Sequence, residues 1–306
     1  MKDSFGRDMN YMKISVTDEN NFDYKYSSAK KDASDIDQSN ILNFEEIERI
    51  AQAAVKLGIT KFRLAGGEPL LRKGIVKLVK MLTGMEGVQE VEMTTNGSLL
   101  TDYVKDLKEA GLSKVNISLD SMRNSRFTEM TGGGDMDEVI AGINAATGAK
   151  LKPVSIHTVV MKGFNEDEIL DFVQLTFQHE VGIRFIEMTP KGNYAEVTQE
   201  AYISNDEIKA KLPSLRKVGT EEETEELFKY PGARGTISFV SPVSSSSYEP
   251  FDQIELTPDG KLQCGPHANQ VVDLKLALAA NDEEELMEAL KQALSNKEEK
   301  TPIAEN

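Results

Sequence analysis

Two patterns of hydrophobic and polar positions take turns along this chain, one typical of strands and one typical of helices. Short runs rich in β-branched residues are typical of buried strands, and between them apolar residues recur every three or four positions, as on one face of a helix. The short runs predict six strands, at residues 12–16, 61–64, 88–94, 114–119, 153–161 and 182–187. Strands that alternate with helices predict parallel βα units, so the pattern favours an α/β fold.

The predicted helices carry the signals that begin and end helices. Asn43 followed by Glu46 predicts an N-terminal cap with its reciprocal partner, and Gly58 predicts the end of the same helix. Asn165 and Glu168 repeat the capping pattern ahead of another apolar run. Both helices are therefore predicted to begin at a capping box.

Six strand–helix units are two short of a closed eight-fold barrel. The sequence therefore predicts a partial (βα)6 barrel of the TIM type, with its site at the carboxyl ends of the strands. Further strand is predicted over residues 232–240, and a final helix over residues 281–295. We expect two regions, with residues 1–220 forming the barrel and residues 221–306 forming a C-terminal extension.

The composition of the chain limits which ligands it is expected to bind and where in the cell it is expected to lie. The net charge of -16, from 51 acidic and 35 basic residues, argues against binding to bulk nucleic acid or to an anionic membrane surface. Phosphate binding would then need a few placed cations. The single cysteine, Cys264, excludes an internal disulfide, and the sequence shows neither a signal peptide nor a membrane-spanning apolar stretch. We therefore expect a cytoplasmic protein.

Polar sets follow three successive predicted strands. They are GGEP at residues 66–69, TTNG at residues 94–97 and SLDS at residues 118–121. Each set alone is also explained by turn and cap chemistry, because glycine, asparagine and serine are the usual turn residues. Because the carboxyl ends of parallel strands meet at one rim, the three sets together predict a binding site there.

The sequence resembles the GTP 3′,8-cyclases of molybdenum-cofactor biosynthesis, a family of radical S-adenosylmethionine (SAM) enzymes. The resemblance lies in RLAGGEPLLR (63–72), TTNG (94–97), NISLDS (116–121), VVMKG (159–163) and RFIEM (184–188). It runs in the same order from DSFGR near the start to LTPDGKL and the last helix. It implies a radical SAM fold that uses SAM and two 4Fe–4S clusters. One cluster splits SAM to start the rearrangement of GTP, and the second helps to hold GTP.

The resemblance also implies a set of binding residues. Its SAM contacts fall on Tyr26, Gly66, Gly67, Glu68, Ser118 and Thr189. Its GTP contacts fall on Lys13, Arg63, Thr94, Ser155, Gln253, Ile254 and Glu255. Some of these positions depart from the family, which usually has arginine at 13, 253 and 255 and lysine at 155. A phosphate would therefore meet a carboxylate at Glu255, in place of a guanidinium.

The chain lacks the cysteines that hold both clusters in the family. The family's first string resembles TDRCNFRCxYC, whereas this chain has TDENNFDYKYS, so the three ligand positions fall on Asn20, Tyr24 and Ser27. The second set falls on Tyr248, Phe251 and Gly265. Iron–sulfur clusters are held by thiolates, with histidine as an occasional substitute. We therefore predict that no cluster binds and that SAM binds weakly at best.

Three hypotheses of function follow. The first is a GTP 3′,8-cyclase-like protein that is silent or impaired in catalysis. The second is a metal-free module that binds a nucleotide or a SAM-like ligand at the mouth of the barrel. The third is a structural partner, a homodimer joined through the open side of the barrel.

Overall fold

The computed structural model describes eight segments of the chain. They are residues 9–25, 36–151, 153–188, 199–219, 226–240, 254–263, 271–280 and 282–295. The six predicted strands are all present. They are β1 (Tyr11–Ser15), β2 (Lys61–Ala65), β3 (Glu90–Thr95), β4 (Lys114–Ser118), β5 (Val154–Val159) and β6 (Val181–Ile186). Each pairs in parallel with the next along the chain.

The C-terminal half adds strands to the same sheet. These are β7 (Arg216–Val218), β8 (Leu227–Lys229), β9 (Thr236–Val240), β10 (Ile254–Leu256), β11 (Lys261–Gln263) and β12 (Val271–Asp273). β9 pairs in parallel with β6 and β10 in parallel with β1, which gives a run of eight parallel strands. An antiparallel pair extends each edge, in the order β12-β11-β10-β1-β2-β3-β4-β5-β6-β9-β8-β7. The expected α/β fold, an open partial barrel with a C-terminal extension, is confirmed.

The first helix follows its predicted signals. The helices are α1 (Phe44–Lys56), α2 (Ile75–Thr83), α3 (Leu100–Glu109), α4 (Asn124–Met130), α5 (Met136–Gly148), α6 (Ile169–Gln178), α7 (Asn205–Ala210), α8 (Lys275–Ala280) and α9 (Glu283–Ser295). At the start of α1, the Asn43 side chain accepts from the Glu46 N–H at 2.9 Å. The Glu46 side chain accepts from the Asn43 N–H at 2.7 Å. Gly58 follows with φ 97°, which suits glycine at a helix end.

The predicted capping box at Asn165 was wrong. Helix α6 begins at Ile169, with Glu168 at its cap position and no side-chain cap bond. The Asn165 amide instead donates to the carbonyl oxygens of Asp120 at 2.6 Å and Val159 at 2.9 Å. Tertiary hydrogen bonds of a buried amide therefore replace the local cap.

The two faces of the sheet differ in chemistry. One face packs under the helices and contributes alternate residues to the hydrophobic core, such as Met12, Phe62 and Met93. The residues between them face the inside of the barrel, where side-chain hydrogen bonds join neighbouring strands. In the described part of the chain, no helix is long and apolar enough to cross a membrane.

Candidate functional site

Glu68 connects two of the polar strand ends at the rim of the barrel. Its side chain is fully buried and accepts three hydrogen bonds, from the Leu70 N–H at 2.9 Å, the Thr95 hydroxyl at 2.8 Å and the Asn96 N–H at 2.7 Å. Burial raises the pKa of Glu68, and the three donors oppose that rise. The GGEP and TTNG sets are therefore joined through one carboxyl group.

Gly66 and Gly67 are required by a close approach within the chain. A Cβ atom on Gly66, which has φ 137°, would lie 2.3 Å from the Thr17 carbonyl oxygen. A Cβ atom on Gly67 would lie 2.0 Å from the Glu19 carbonyl oxygen. The Gly67 N–H donates to the Thr17 oxygen at 2.8 Å. The loop after β1 therefore fills the space that the missing side chains leave.

The third polar strand end meets the same rim through Tyr24. Burial raises the pKa of the Tyr24 phenol well above its ordinary value, and the negative charges of Asp120 and Glu68 raise it further. Asp120 is itself buried and accepts from the Val159 N–H at 2.7 Å. Ser118 lies at the end of β4, in register with His157. The GGEP, TTNG and SLDS sets are thus gathered at one rim.

The loop at residues 17–25 is held by the protein's own contacts. The Asn20 amide oxygen accepts from the Phe22 N–H at 3.0 Å, and the Asn21 amide oxygen accepts from the Asn96 side chain at 2.8 Å. The Phe22 ring packs edge-on against Tyr24 and Phe127, with centroids 6.0 and 5.7 Å away. These aromatic and hydrogen-bonded contacts hold the loop against α4 and the segment after β3.

A row of five charged residues crosses the inner face of the sheet. In register from β10 to β4, the row is Glu255, Lys13, Arg63, Glu92 and Lys114. We call these five residues the charged row. All five lie at the same level of the barrel, one step below the layer that holds Thr94.

Ion pairs join the charged row within itself. The Lys13 Nζ lies 2.9 Å from Glu255 Oε1, which also accepts from the Ser15 hydroxyl at 3.1 Å. The buried Arg63 donates through Nε to Glu92, and the Lys114 Nζ lies 3.6 Å from the other Glu92 oxygen. Both cations expected to meet phosphate are therefore paired with carboxylates.

Uncharged polar groups form the next layer toward the rim. Thr94, Asn116 and Ser155 lie in register on β3, β4 and β5. The Asn116 amide nitrogen is 3.5 Å from the Thr94 hydroxyl and 3.4 Å from Glu92. Ile254 differs from the other expected GTP contacts because its side chain is fully buried in the hydrophobic core.

Comparison with known proteins identifies the family. The chain is 40% identical over 301 residues, 98% of its length and 94% of the relative's, to the GTP 3′,8-cyclase of Alkaliphilus metalliredigens. This chain belongs to the GTP 3′,8-cyclase family. The cyclase of Clostridium botulinum strain Hall is 37% identical over 97% of this chain and 93% of the relative's length. The family expectation is therefore confirmed.

Family models and solved structures agree with this membership. Residues 24–176 match the Radical SAM superfamily and residues 181–303 match Molybdenum Cofactor Synthesis C. Streptococcus suis SuiB bound to S-adenosylmethionine is similar with a TM-score of 0.58 at 14% identity, over 85% of this chain and 60% of that one. The chain spans less than two thirds of SuiB, and at this identity the likeness shows the fold alone.

Membership in a radical SAM family implies SAM and iron–sulfur clusters, and the donor set of this chain does not fit a cluster. At the first ligand position Asn20 offers an amide, which cannot become an anion at ordinary pH. Tyr24 offers a phenol oxygen in place of a sulfur, and burial raises the pKa of that phenol. Clusters need thiolates, or histidine as an occasional substitute. The described part of the first site therefore supplies no cluster ligand.

The remaining expected site residues lie outside the described residues. They are Tyr26, Ser27, Thr189, Tyr248, Phe251, Gln253 and Gly265. In the described part of the chain, no group of three or more histidine, cysteine, aspartate or glutamate side chains could hold a metal ion. Since the first ligand set carries no thiol in the sequence, its chemistry is already fixed by residue type.

Sequence analysis missed the partners that neutralise the expected phosphate contacts. Glu92 is buried between Arg63 and Lys114 and also accepts from the Tyr11 hydroxyl. Alternation of polar residues in β3, at Glu90, Glu92 and Thr94, is a signal for a polar inner face. Which cation each carboxylate meets depends on strand register, and the sequence alone did not give that register.

Proposed function

We propose that this chain is a cluster-free member of the GTP 3′,8-cyclase family that binds a small molecule at the barrel rim without radical chemistry. The observation that carries this proposal is the residue types at the three ligand positions of the first cluster, Asn20, Tyr24 and Ser27, none of which supplies a thiol. A radical SAM reaction starts at a cluster, so the loss of its ligands removes the first step.

The hydrogen bonds of the 17–25 loop support this proposal. The Asn20 amide oxygen accepts a hydrogen bond from the Phe22 N–H, and the Asn21 amide oxygen accepts one from the Asn96 side chain. The Asp23 and Lys25 N–H groups donate to the carbonyl oxygens of residues 131 and 130, at 2.8 and 3.0 Å. These bonds commit the amide oxygens and backbone N–H groups of the loop to contacts within the protein.

Iron content and SAM cleavage test the proposal directly. The full chain is incubated anaerobically with iron, sulfide and reductant, and its iron, its colour and the release of 5′-deoxyadenosine are measured. The matched control is the Asn20→Cys, Tyr24→Cys, Ser27→Cys variant, which restores three thiols to the same loop. We expect the control alone to become brown and to cleave SAM. A wild-type chain that holds about four irons and cleaves SAM would overturn the proposal.

Metal-free ligand binding at the rim is the second part of the proposal. Both carboxylate oxygens of Asp18 are buried there, and no described residue donates a hydrogen bond to them. A ligand with an ammonium or hydroxyl group would satisfy them, since a buried carboxylate without donors is costly. We expect SAM to bind weakly, because no iron is held to chelate its methionine end. Sub-micromolar SAM affinity in calorimetry without metal would contradict this expectation.

The structural-partner hypothesis remains the alternative within the same fold. It proposes a homodimer joined through the open side of the barrel, whose edges are β12 and β7. Light scattering distinguishes a dimer from a monomer, and thermal shift with added nucleotide or SAM distinguishes a binding module from a purely structural role. We propose a cytoplasmic location for either role, and cell fractionation tests it.

A further inference from the structure

Gly182 lies on the inner face of the barrel, and packing does not require its missing side chain. It is inside β6, in register with Ser155 on β5 and Thr236 on β9. The described atoms nearest to a Cβ atom built on Gly182 are the Thr236 hydroxyl oxygen at 3.6 Å and the Ser155 hydroxyl oxygen at 3.8 Å, which are ordinary contact distances. An alanine would therefore fit at position 182 without displacing its neighbours.

Glycine in the interior of a strand weakens that strand, so its presence needs a cause. The usual causes are a bulge, a tight bend, or the close approach of another backbone or a ligand. The register of β5, β6 and β9 runs unbroken through Gly182, so β6 has no bulge there. The nearest described backbone atom, the Val154 oxygen, is 4.0 Å from the added Cβ atom, whereas a Cβ atom on Gly235 would lie 1.9 Å from the Val181 oxygen. Packing therefore requires Gly235, and the close approach of a ligand is the remaining cause for Gly182.

Two hydroxyl groups face the space beside Gly182. The Ser155 and Thr236 side chains are partly exposed, and among the described residues neither hydroxyl has a hydrogen-bond partner. A hydroxyl can donate one hydrogen bond and accept others, so both can donate to an oxygen-rich group placed between them. The space is therefore lined for a polar group and not for an apolar one.

Positive charge flanks this space on the inner face. The charged row, one step further from the rim, holds three cations and two carboxylates. One step nearer the rim, the buried Arg184 follows Gly182 by two residues on the same face of β6. At these strand positions, four cations therefore face two carboxylates. An excess of cations inside the barrel of a protein with a net charge of -16 favours an anionic ligand there.

We propose that the space beside Gly182, between the Ser155 and Thr236 hydroxyls, is a subsite that receives a phosphate group of the ligand. Both hydroxyls can donate to phosphate oxygens, and Arg184 adds positive charge from the next row, so an oxyanion is favoured over an uncharged group. The inference rests on the proposed function, because it takes the inside of the barrel as a ligand site. It deepens that function by naming the chemical group that one part of the site binds.

Filling the space with a methyl group tests the subsite, because the fold has room for it. Gly182→Ala should melt at or above the temperature of wild type, since it removes a flexible residue from a strand without a clash. Gly235→Ala should melt lower, because its methyl group would overlap the Val181 oxygen. Calorimetry on the iron-free full chain at low salt then measures the affinities for inorganic triphosphate, GTP and guanosine.

The expected pattern separates binding from folding. Wild type binds GTP and inorganic triphosphate more tightly than guanosine. Gly182→Ala weakens the binding of both phosphate compounds by about tenfold and changes guanosine binding by less than about twofold. The matched control is Gly148→Ala on the exposed end of α5, where an added Cβ atom meets no described atom within 4 Å. It should leave all three affinities within about twofold of wild type.

A second pair of variants removes the hydroxyl donors and keeps the shape of the space. Ser155→Ala and Thr236→Val should each weaken the binding of inorganic triphosphate by about fivefold or more, because hydrogen bonds to charged groups are stronger than those between neutral groups. Ser214→Ala, which removes an exposed hydroxyl elsewhere, should have no effect on this affinity.

Four outcomes overturn the inference. Wild type binds neither GTP nor inorganic triphosphate, Gly182→Ala lowers the melting temperature as Gly235→Ala does, Gly182→Ala leaves triphosphate binding unchanged, or it weakens guanosine and GTP equally. The last outcome would assign the space to an uncharged group. Iron uptake and SAM cleavage by the wild-type chain would refute the proposed function instead, and the iron-free titrations would still decide whether the subsite exists.

Discussion

Glu68 and Asn96 are joined by a hydrogen bond of 2.7 Å between the Asn96 N–H and the buried carboxylate. The bond fastens the segment after β2 to the end of β3 at the rim. The same carboxylate accepts from Thr95 and from the Leu70 N–H, so one side chain satisfies three donors. An unsatisfied buried donor costs about 1–3 kcal/mol, so the stability of the rim depends on this carboxylate.

Glu68→Ala should therefore lower the free energy of unfolding by about 2–4 kcal/mol, since it leaves buried donors without an acceptor. Urea unfolding measures the loss. Glu86→Ala is the matched control, because Glu86 is exposed, and it should change stability by less than about 0.5 kcal/mol. Equal effects of the two substitutions would show that the rim does not need the carboxylate.

The buried Arg63–Glu92 pair should be strongly coupled. Glu92→Leu alone should cost about 3–5 kcal/mol, because it leaves the Arg63 guanidinium buried without its carboxylate. Adding Arg63→Met should recover a large part of that loss. The exposed pair Lys77–Glu45, with Nζ and Oε1 at 2.8 Å, is the control, and its coupling energy should stay below about 1 kcal/mol. A double-mutant cycle for each pair, followed by urea unfolding, gives both energies.

The strands and the first helix could be predicted because their signals are local. Each of the six predicted strands overlaps a strand of the structure, since short β-branched runs and apolar residues at helical spacing report burial directly. The Asn43–Glu46 box also needs only four neighbouring residues. Asn165 carries the same local pattern, but the carbonyl oxygens of Asp120 and Val159 compete for its amide. Only the folded chain brings those acceptors within reach.

The sequence predicted where the candidate site lies, but not which partners its residues contact. Parallel strands place their carboxyl ends together, so the rim followed from the order of the elements. The family resemblance implies SAM contacts at Gly66 and Gly67, and the structure shows the carbonyl oxygens of Thr17 and Glu19 in the space beside them. Cross-strand pairing likewise decides that Lys13 meets Glu255 and that Arg63 meets Glu92.

Restoring the three thiols at positions 20, 24 and 27 should create an iron-dependent protein. Tyr24→Cys removes a ring that packs against Phe22, so the iron-free triple variant should be less stable by about 2–4 kcal/mol. Cluster assembly should recover stability, because a ligand that binds only the folded state stabilises it. Melting temperatures with and without iron and sulfide measure both effects, and Asn20→Cys alone is the control. A folded triple variant that takes up no iron would show that the loop geometry does not suit a cluster.

Tyr24→Phe should change how stability depends on pH without removing the ring. The folded-state pKa of Tyr24 is raised above its ordinary value of 10.0, first by burial and then by the charges of Asp120 and Glu68. In the unfolded chain the phenol titrates near its ordinary pKa. The folded state therefore holds the proton more tightly, and this contribution to stability is complete below about pH 10 and is lost as the pH rises toward the folded pKa.

Tyr24→Phe removes that proton from the balance, so its free energy of unfolding should fall less steeply between pH 9 and pH 11 than that of wild type, by about 1 kcal/mol or more. Urea unfolding at both pH values measures the difference. Tyr202→Phe is the positive control, because the pKa of Tyr202 is raised to about 12, above this pH window, with Glu187 as its hydrogen-bond partner. It should flatten the profile by a similar amount. If Tyr202→Phe flattens the profile and Tyr24→Phe matches wild type in slope, Tyr24 does not hold its proton in the folded state.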